Sequence, residues 1–226
     1  MEADPITAVG ALADPHRRAL YQFVVDRGEP VSRDDAAQAL GLSRANAAFH
    51  LDRLVADRLL DVDYRRLSGR VGPGAGRPAK LYRRSDREIA VNLPPRAYDV
   101  AGDVLATAVA AASRAGVPVA AVIDEVARAY GARLASRQSK GRGASRATLA
   151  GILAEHGYEP QLVGRRIELR NCPFHALADS HRELVCGMNR ALLEGVLAGA
   201  GARRLDVVPD PQPGRCCVAV TPRKEN

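Results

Sequence analysis

The sequence predicts a mainly α-helical chain with smaller α+β parts. Three observations carry that expectation: Ala- and Leu-rich stretches with apolar residues at helical spacing, two alternating segments around a glycine-rich tip near residue 70, and renewed alternation after residue 158. With 226 residues the chain is long enough for two modest units, each with a core. The apolar share is 46%, but there is no Trp and only 3 Phe, so Ala, Val and Leu must fill those cores. The net charge of +7 favours a polyanionic partner.

The first elements are short helices. In "DPHRRALYQFVVDRG", Asp14 is an N-cap, Pro15 suits the first turn, Leu20, Phe23 and Val24 share a face, and Gly28 stops the helix. Ser32 caps "RDDAAQAL", whose acidic first turn suits a helix N-terminus. Gly41 supplies a tight turn, and Ser43 caps "RANAAFHLDRLVADRLL". The buried face of this third helix is expected to be Ala47, Leu51, Leu54 and Val55, with Arg44, Asn46, His50 and Arg53 opposite. Two short helices joined at Gly41 form a helix-turn-helix pattern.

"LLDVDYRRLSGRVGPGAGRPAKLYRRSDR" then reads as strand, glycine-rich tip, strand: a wing. From Arg65 to Arg87 it carries eight basic residues against one acid, Asp86. The whole, over residues 1–90, resembles the winged helix-turn-helix of ArsR- and MarR-like bacterial repressors. The expected partner is a double-stranded DNA operator. Its expected contacts are Ser43, Arg44, Asn46, His50 and Arg53 on the recognition helix, and Arg65, Arg66, Arg70, Arg77 and Lys80 on the wing. Arg44 suits guanine and Asn46 adenine.

Residues 91–137 form a helical connecting or dimerisation segment, entered through Pro94 and Pro95. Its stripe of Val100, Val104, Ala108 and Ala111 fits burial within its own subunit or a subunit interface equally. A homodimer is expected because such DNA readers generally use two half-sites. Residues 138–147, rich in Gly, Ser, Lys and Arg, read as a flexible linker.

Residues 148–226 read as a small α+β sensor domain: a helix over "ATLAGILAEHGY", strands over "EPQLVG" and "RRIELRN", a helix over "HRELVCGMNRALLEGVLAGAG", and strands over "RRLDVVPD" and "GRCCVAVT". All four cysteines lie here: Cys172 past a strand end, Cys186 on a helix, Cys216 and Cys217 past a turn. Their spacing is not that of a zinc finger, and adjacent strand residues point to opposite faces, so only one of the last pair is expected to join a given site. Buried thiols can also pack as small hydrophobes.

"NCPFHALADSHRELVCGMNRALLEGVL" followed by "PGRCCV" is similar to the C-terminal region of SufR-type iron–sulfur transcriptional regulators, which also carry an N-terminal winged helix. The resemblance implies a [4Fe–4S] cluster on Cys172, Cys186 and Cys216, with Cys217 as the alternative third thiolate. Three thiolates leave one iron to another donor, for which His175 or His181 is available, with Asp179 and Asn189 as further options. It also implies a repressor controlled by the cluster state. Direct thiol oxidation, or a small ligand, is the alternative switch.

No apolar run is long enough to span a bilayer, and "MEADPITAVG" is not a signal peptide, so a cytoplasmic protein with reduced or metal-bound thiols is expected. Enzymatic chemistry is not expected: "CPFHALADSH" supplies Cys and His but no orienting third group.

Overall fold

The computed structural model describes residues 4–65, 78–136 and 143–223. The chain divides into two compact units, Met1–Val91 and Asn92–Asn226. The observed class is that expected, helical with two small antiparallel sheets.

The first unit opens with a helix the sequence reading did not anticipate, α1 (Pro5–Ala11), whose first-turn amides at Ile6 and Thr7 donate to the Asp4 carboxylate. Helix α2 (Pro15–Arg27) begins at Asp14, which accepts the Arg17 N–H at 2.9 Å, and ends at Gly28 with φ 66°. A two-residue strand β1 (Val31–Ser32) leads into α3 (Arg33–Leu40), where Ser32 and Asp35 form a reciprocal capping box. Gly41 takes φ 63°, and α4 (Arg44–Ala56) starts with Ser43 Oγ accepting the Asn46 N–H at 3.2 Å. Strands β2 (Leu60–Arg65) and β3 (Ala79–Arg84) pair antiparallel, with β1 on the far side of β3. Leu20, Val24, Ala36, Ala47, Leu51, Leu54, Leu60 and Tyr82 meet in the core. The expected wing tip, with Arg66, Arg70 and Arg77, lies outside the described residues.

The second unit comprises α5 (Tyr98–Ala115), a 3₁₀ turn (Val119–Ala121), α6 (Ile123–Ser136), α7 (Arg146–Glu155), β4 (Pro160–Val163), β5 (Arg166–Leu169), α8 (His175–Ser180), α9 (Arg182–Gly199), β6 (Leu205–Pro209) and β7 (Val218–Pro222). The antiparallel sheet runs β4-β5-β7-β6. Helices α6 and α9 approach to backbone contact. A Cβ on Gly131 would fall 2.0 Å from the Leu192 carbonyl oxygen, and one on Gly195 would fall 2.1 Å from that of Arg128. These glycines are required by the packing, with Ala127 and Ala135 keeping the α6 face low beside them.

Two expectations change here. The 91–137 segment is no separate connector, because Ala101, Val104, Ala108, Ile123, Ala127 and Ala135 share one core with Leu149, Ile167, Leu192 and Val220. The apolar stripe of α5 is thus spent inside the unit, with Ala112 fully buried where Ala111 was expected. The linker expected over 138–147 also shortens: Ser145 caps α7, Arg146 is already helical, and the Ala144 N–H donates to the Ala200 carbonyl at 2.9 Å. Residues 138–142 lie outside the described residues. Among the described residues no helix is long and apolar enough to cross a membrane.

Candidate functional site

Helix α4 presents one face to the core and one outward. His50 was expected outward, but it is 8% exposed. The helical phase settles the matter: His50 lies among Ala47, Leu51 and Leu54, on the side that packs inward. Its ring lies 5.6 Å from that of His16, and its Nδ1 is buried without a hydrogen-bond partner. The outward position next to it belongs to Phe49, 67% exposed, to which the sequence reading gave no role. Arg44 is exposed and pairs with Asp34 at 2.6 Å, while Arg53 pairs with Asp57 at 3.1 Å. The Arg44–Asp34 pair is exposed on both sides, unlike the pair at buried Asp57, and such exposed pairs contribute at most about 1 kcal/mol, so Arg44 can exchange its partner for DNA at little cost. Ser43 spends its hydroxyl on the cap, and Asn46 is half-buried beside it.

The wing strands are less basic than their charge count suggests. Arg83 lies 3.2 Å from Asp61 and 3.6 Å from Asp63, and Arg65 lies 3.1 Å from Asp63, so acids on β2 offset part of the charge. Lys80 bonds Asp52 of α4, which also accepts the Tyr82 hydroxyl at 2.8 Å. Burial works against the Asp52 carboxylate, but the bonds from Lys80 and Tyr82 prevail and hold its pKa below the ordinary value. Lys80 thus fixes the wing to the recognition helix as well as adding charge.

The second unit gathers all four cysteines. Asn171, buried just before Cys172, donates to the Pro95 carbonyl at 2.7 Å and the Gly157 carbonyl at 2.6 Å, while its oxygen accepts from Arg96 at 2.6 Å. This fixes the chain that leaves β5. Cys186 stands early in α9. Cys216 and Cys217 precede β7 rather than lying on it: the Cys216 N–H donates to the Leu169 carbonyl at 2.9 Å, and the Asp210 N–H donates to the Cys217 carbonyl at 2.8 Å. Of the pair, Cys217 is half-buried and reaches the cleft described below, while Cys216 is buried behind it. The chain bends at Cys217, and the thiols are electrostatically coupled in the order Cys172, Cys216, Cys217, Cys186.

The coupling has a definite direction. Cys216 has a single S–H to share with Cys172 and Cys217, and this coupling raises its own pKa sharply and lowers theirs. Cys217 comes down to about 6, helped after Cys216 by Cys186 and Asn189. Burial, then the bond to Cys217, lifts Cys186 to about 12. Behind the thiols, Asn189 is 1% exposed; its Nδ2 donates to Cys216 Sγ at 3.2 Å and its Oδ1 accepts the Tyr158 hydroxyl at 2.6 Å.

In front of them lies a cleft of about 570 Å³. Cys172, Cys186 and Cys217 line it, with Arg96, Arg170, Arg182 and Arg215 around them. His175 is at the mouth, 60% exposed and 3.5 Å from Asp179. His181 is the exposed N-cap residue of α9 and is not a lining residue. Among the described residues no three His, Cys, Asp or Glu side chains are arranged around one ion. Soft sulfur donors, a buried amide bonded to one of them and a cationic rim suit a polynuclear, anionic thiolate-bound group better than a single hard cation.

No curated protein and no solved structure matches the chain. Residues 12–63 match the family model of a helix-turn-helix domain, a span that runs from the end of α1 into β2 and contains the whole of α2, α3 and α4. The first unit is accordingly the helix-turn-helix module of a DNA-binding transcriptional regulator.

Proposed function

We propose that this protein is a homodimeric repressor whose affinity for a double-stranded DNA operator is set by an iron–sulfur cluster of the [4Fe–4S] type held by the C-terminal cysteines. The observation that carries this reading is the meeting of three thiols from three separate chain segments at one cleft, with a fourth directly behind, in a chain that also has a helix-turn-helix domain. When bound, such a group supplies a state that changes with oxidants and iron supply.

This chain's residues have distinct parts. Cys172, Cys186 and Cys217 offer sulfur at the cleft wall, and Cys216 stands directly behind. Asn189, held by Tyr158, orients Cys216. Arg96 and Arg182 offset negative charge gathered at the thiolates, while Arg170 and Arg215 share Glu168 at the rim. The link to DNA is a shift between dimer populations that fit and do not fit two half-sites.

The experiment is anaerobic purification with iron and acid-labile sulfide assays, followed by operator binding in loaded and stripped protein. Iron and sulfide in matched amounts, with weaker DNA binding after stripping, support the reading. Equal DNA affinity in both states removes the cluster from the regulation. Light scattering of the same samples checks the dimer.

A second reading, direct thiol oxidation, is favoured by the contact between Cys172 and Cys216. It predicts a protein free of iron that still loses DNA affinity with peroxide and regains it with dithiothreitol.

A further inference from the structure

We propose that the cluster site is built from all four cysteines, Cys216 and Cys217 both serving as ligands, with no histidine in the ligand set. This deepens the cluster reading above and rests on it.

The backbone makes two adjacent ligands possible. On a regular strand Cys216 and Cys217 would face opposite ways, but both precede β7, anchored by the Cys216 amide on Leu169 and the Cys217 carbonyl on Asp210. Cys217 lines the cleft together with Cys172 and Cys186, and Cys216 is buried directly behind, where its sulfur accepts the Asn189 amide at 3.2 Å. The titrations of the four thiols are coupled, Cys216 with Cys172 and Cys217, and Cys217 with Cys186.

The nitrogen candidates are placed less well. His175 is at the solvent side of the cleft, close to Asp179. His181 is an exposed helix-capping residue that does not line the cleft. Asn189 is buried at the thiols, but its two polar atoms are committed to Cys216 and Tyr158. A buried amide donating to Cys216 sulfur is the kind of outer support that metal-bound thiolates use. Softness acts in the same direction, since iron in these clusters takes four Cys thiolates as its ordinary set. Four thiolates on such a core make a net dianion, toward which Arg96 and Arg182 are the cleft cations not already paired with Glu168, as Arg170 and Arg215 are.

The test compares wild type with Cys216→Ser, Cys217→Ser and His175→Ala, each reconstituted anaerobically with ferrous iron and sulfide. The readouts are iron and sulfide per chain and the electron paramagnetic resonance of the reduced protein. Loss of most bound iron, or a changed spectrum, in both serine variants, with His175→Ala like wild type, is the expected result. A Cys216→Ser protein with wild-type iron, sulfide and spectrum overturns the four-thiolate site while leaving the cluster reading intact. A wild type that takes up no cluster overturns both. Should Cys216→Ser fail to fold, pulsed resonance on the reduced wild type decides: absence of ligand nitrogen and water-oxygen couplings is expected, and either coupling overturns the proposal.

Discussion

Asn189 donates its side-chain amide to the sulfur of Cys216 at 3.2 Å, in a place almost wholly closed to water. Its oxygen has one partner, the Tyr158 hydroxyl at 2.6 Å. Tyr158→Phe therefore strands a buried acceptor, and such a loss costs about 1–3 kcal/mol. Urea unfolding followed by circular dichroism should show the loss in the transition of the second unit, with the first unit's transition unmoved, because the chain need not unfold in one step. A variant as stable as wild type would mean that Asn189 finds another donor.

The contact between α6 and α9 gives a sharper contrast. Gly195→Ala would drive a Cβ to 2.1 Å from the Arg128 carbonyl, so two helix backbones must separate. The expected cost is about 1–3 kcal/mol or more. Gly102, on the exposed side of α5, has open space around it, and Gly102→Ala should gain about 0.5–1 kcal/mol by helix propensity. Melting temperatures moving in opposite directions would bear out the packing.

What could be read from the sequence divides along the same lines. Helix starts at Asp14, Ser32 and Ser43 were legible because capping is local chemistry, satisfied within three or so residues. The strands of the wing were legible from alternation. His50 was misplaced because its polarity outweighed its phase, although its spacing from Ala47 and Leu54 already put it inward. Phe49 was missed for the opposite reason, an apolar type in an outward position. The coupling of Cys216 with Cys217 was not legible at all. It depends on β7 beginning at Val218, and a hydrogen bond to Leu169, 47 positions earlier in the chain, decides that bend. Gly131 and Gly195 carry no local signal either, since their reason is a carbonyl on another helix.

Asp52 gives a pH dependence. Its folded pKa lies below the ordinary 3.8, burial being outweighed by the bonds from Lys80 and Tyr82. A depressed carboxyl pKa stabilises the fold fully above the unfolded value, and that stability is lost as pH falls through the folded value. The first unit should therefore lose stability on acidification from about pH 4 downward, and Asp52→Asn should remove part of this slope and be less stable at neutral pH. Thermal melts from pH 7 to pH 2.5 on both proteins check it; identical slopes would show that Asp52 has no share.

Phe49 is the most exposed aromatic ring on the recognition helix, edge-on to His50 at 5.3 Å between centroids. An apolar ring held outward, on the same helix face as Arg53 one turn on, is well suited to meet a thymine methyl in the major groove, where apolar side chains read that group. Phe49→Ala should leave folding within about 0.5 kcal/mol, since the ring packs little. It should weaken binding to an operator selected from random DNA by roughly tenfold, the scale of one base pair's readout, while non-specific binding changes little. Replacing operator thymines one at a time by deoxyuridine removes only the methyl. One such replacement should cost wild type what Phe49→Ala costs and add nothing further in that variant. If every uracil-substituted operator binds wild type as tightly as the parent, Phe49 does not read a methyl, and its exposure must serve another contact.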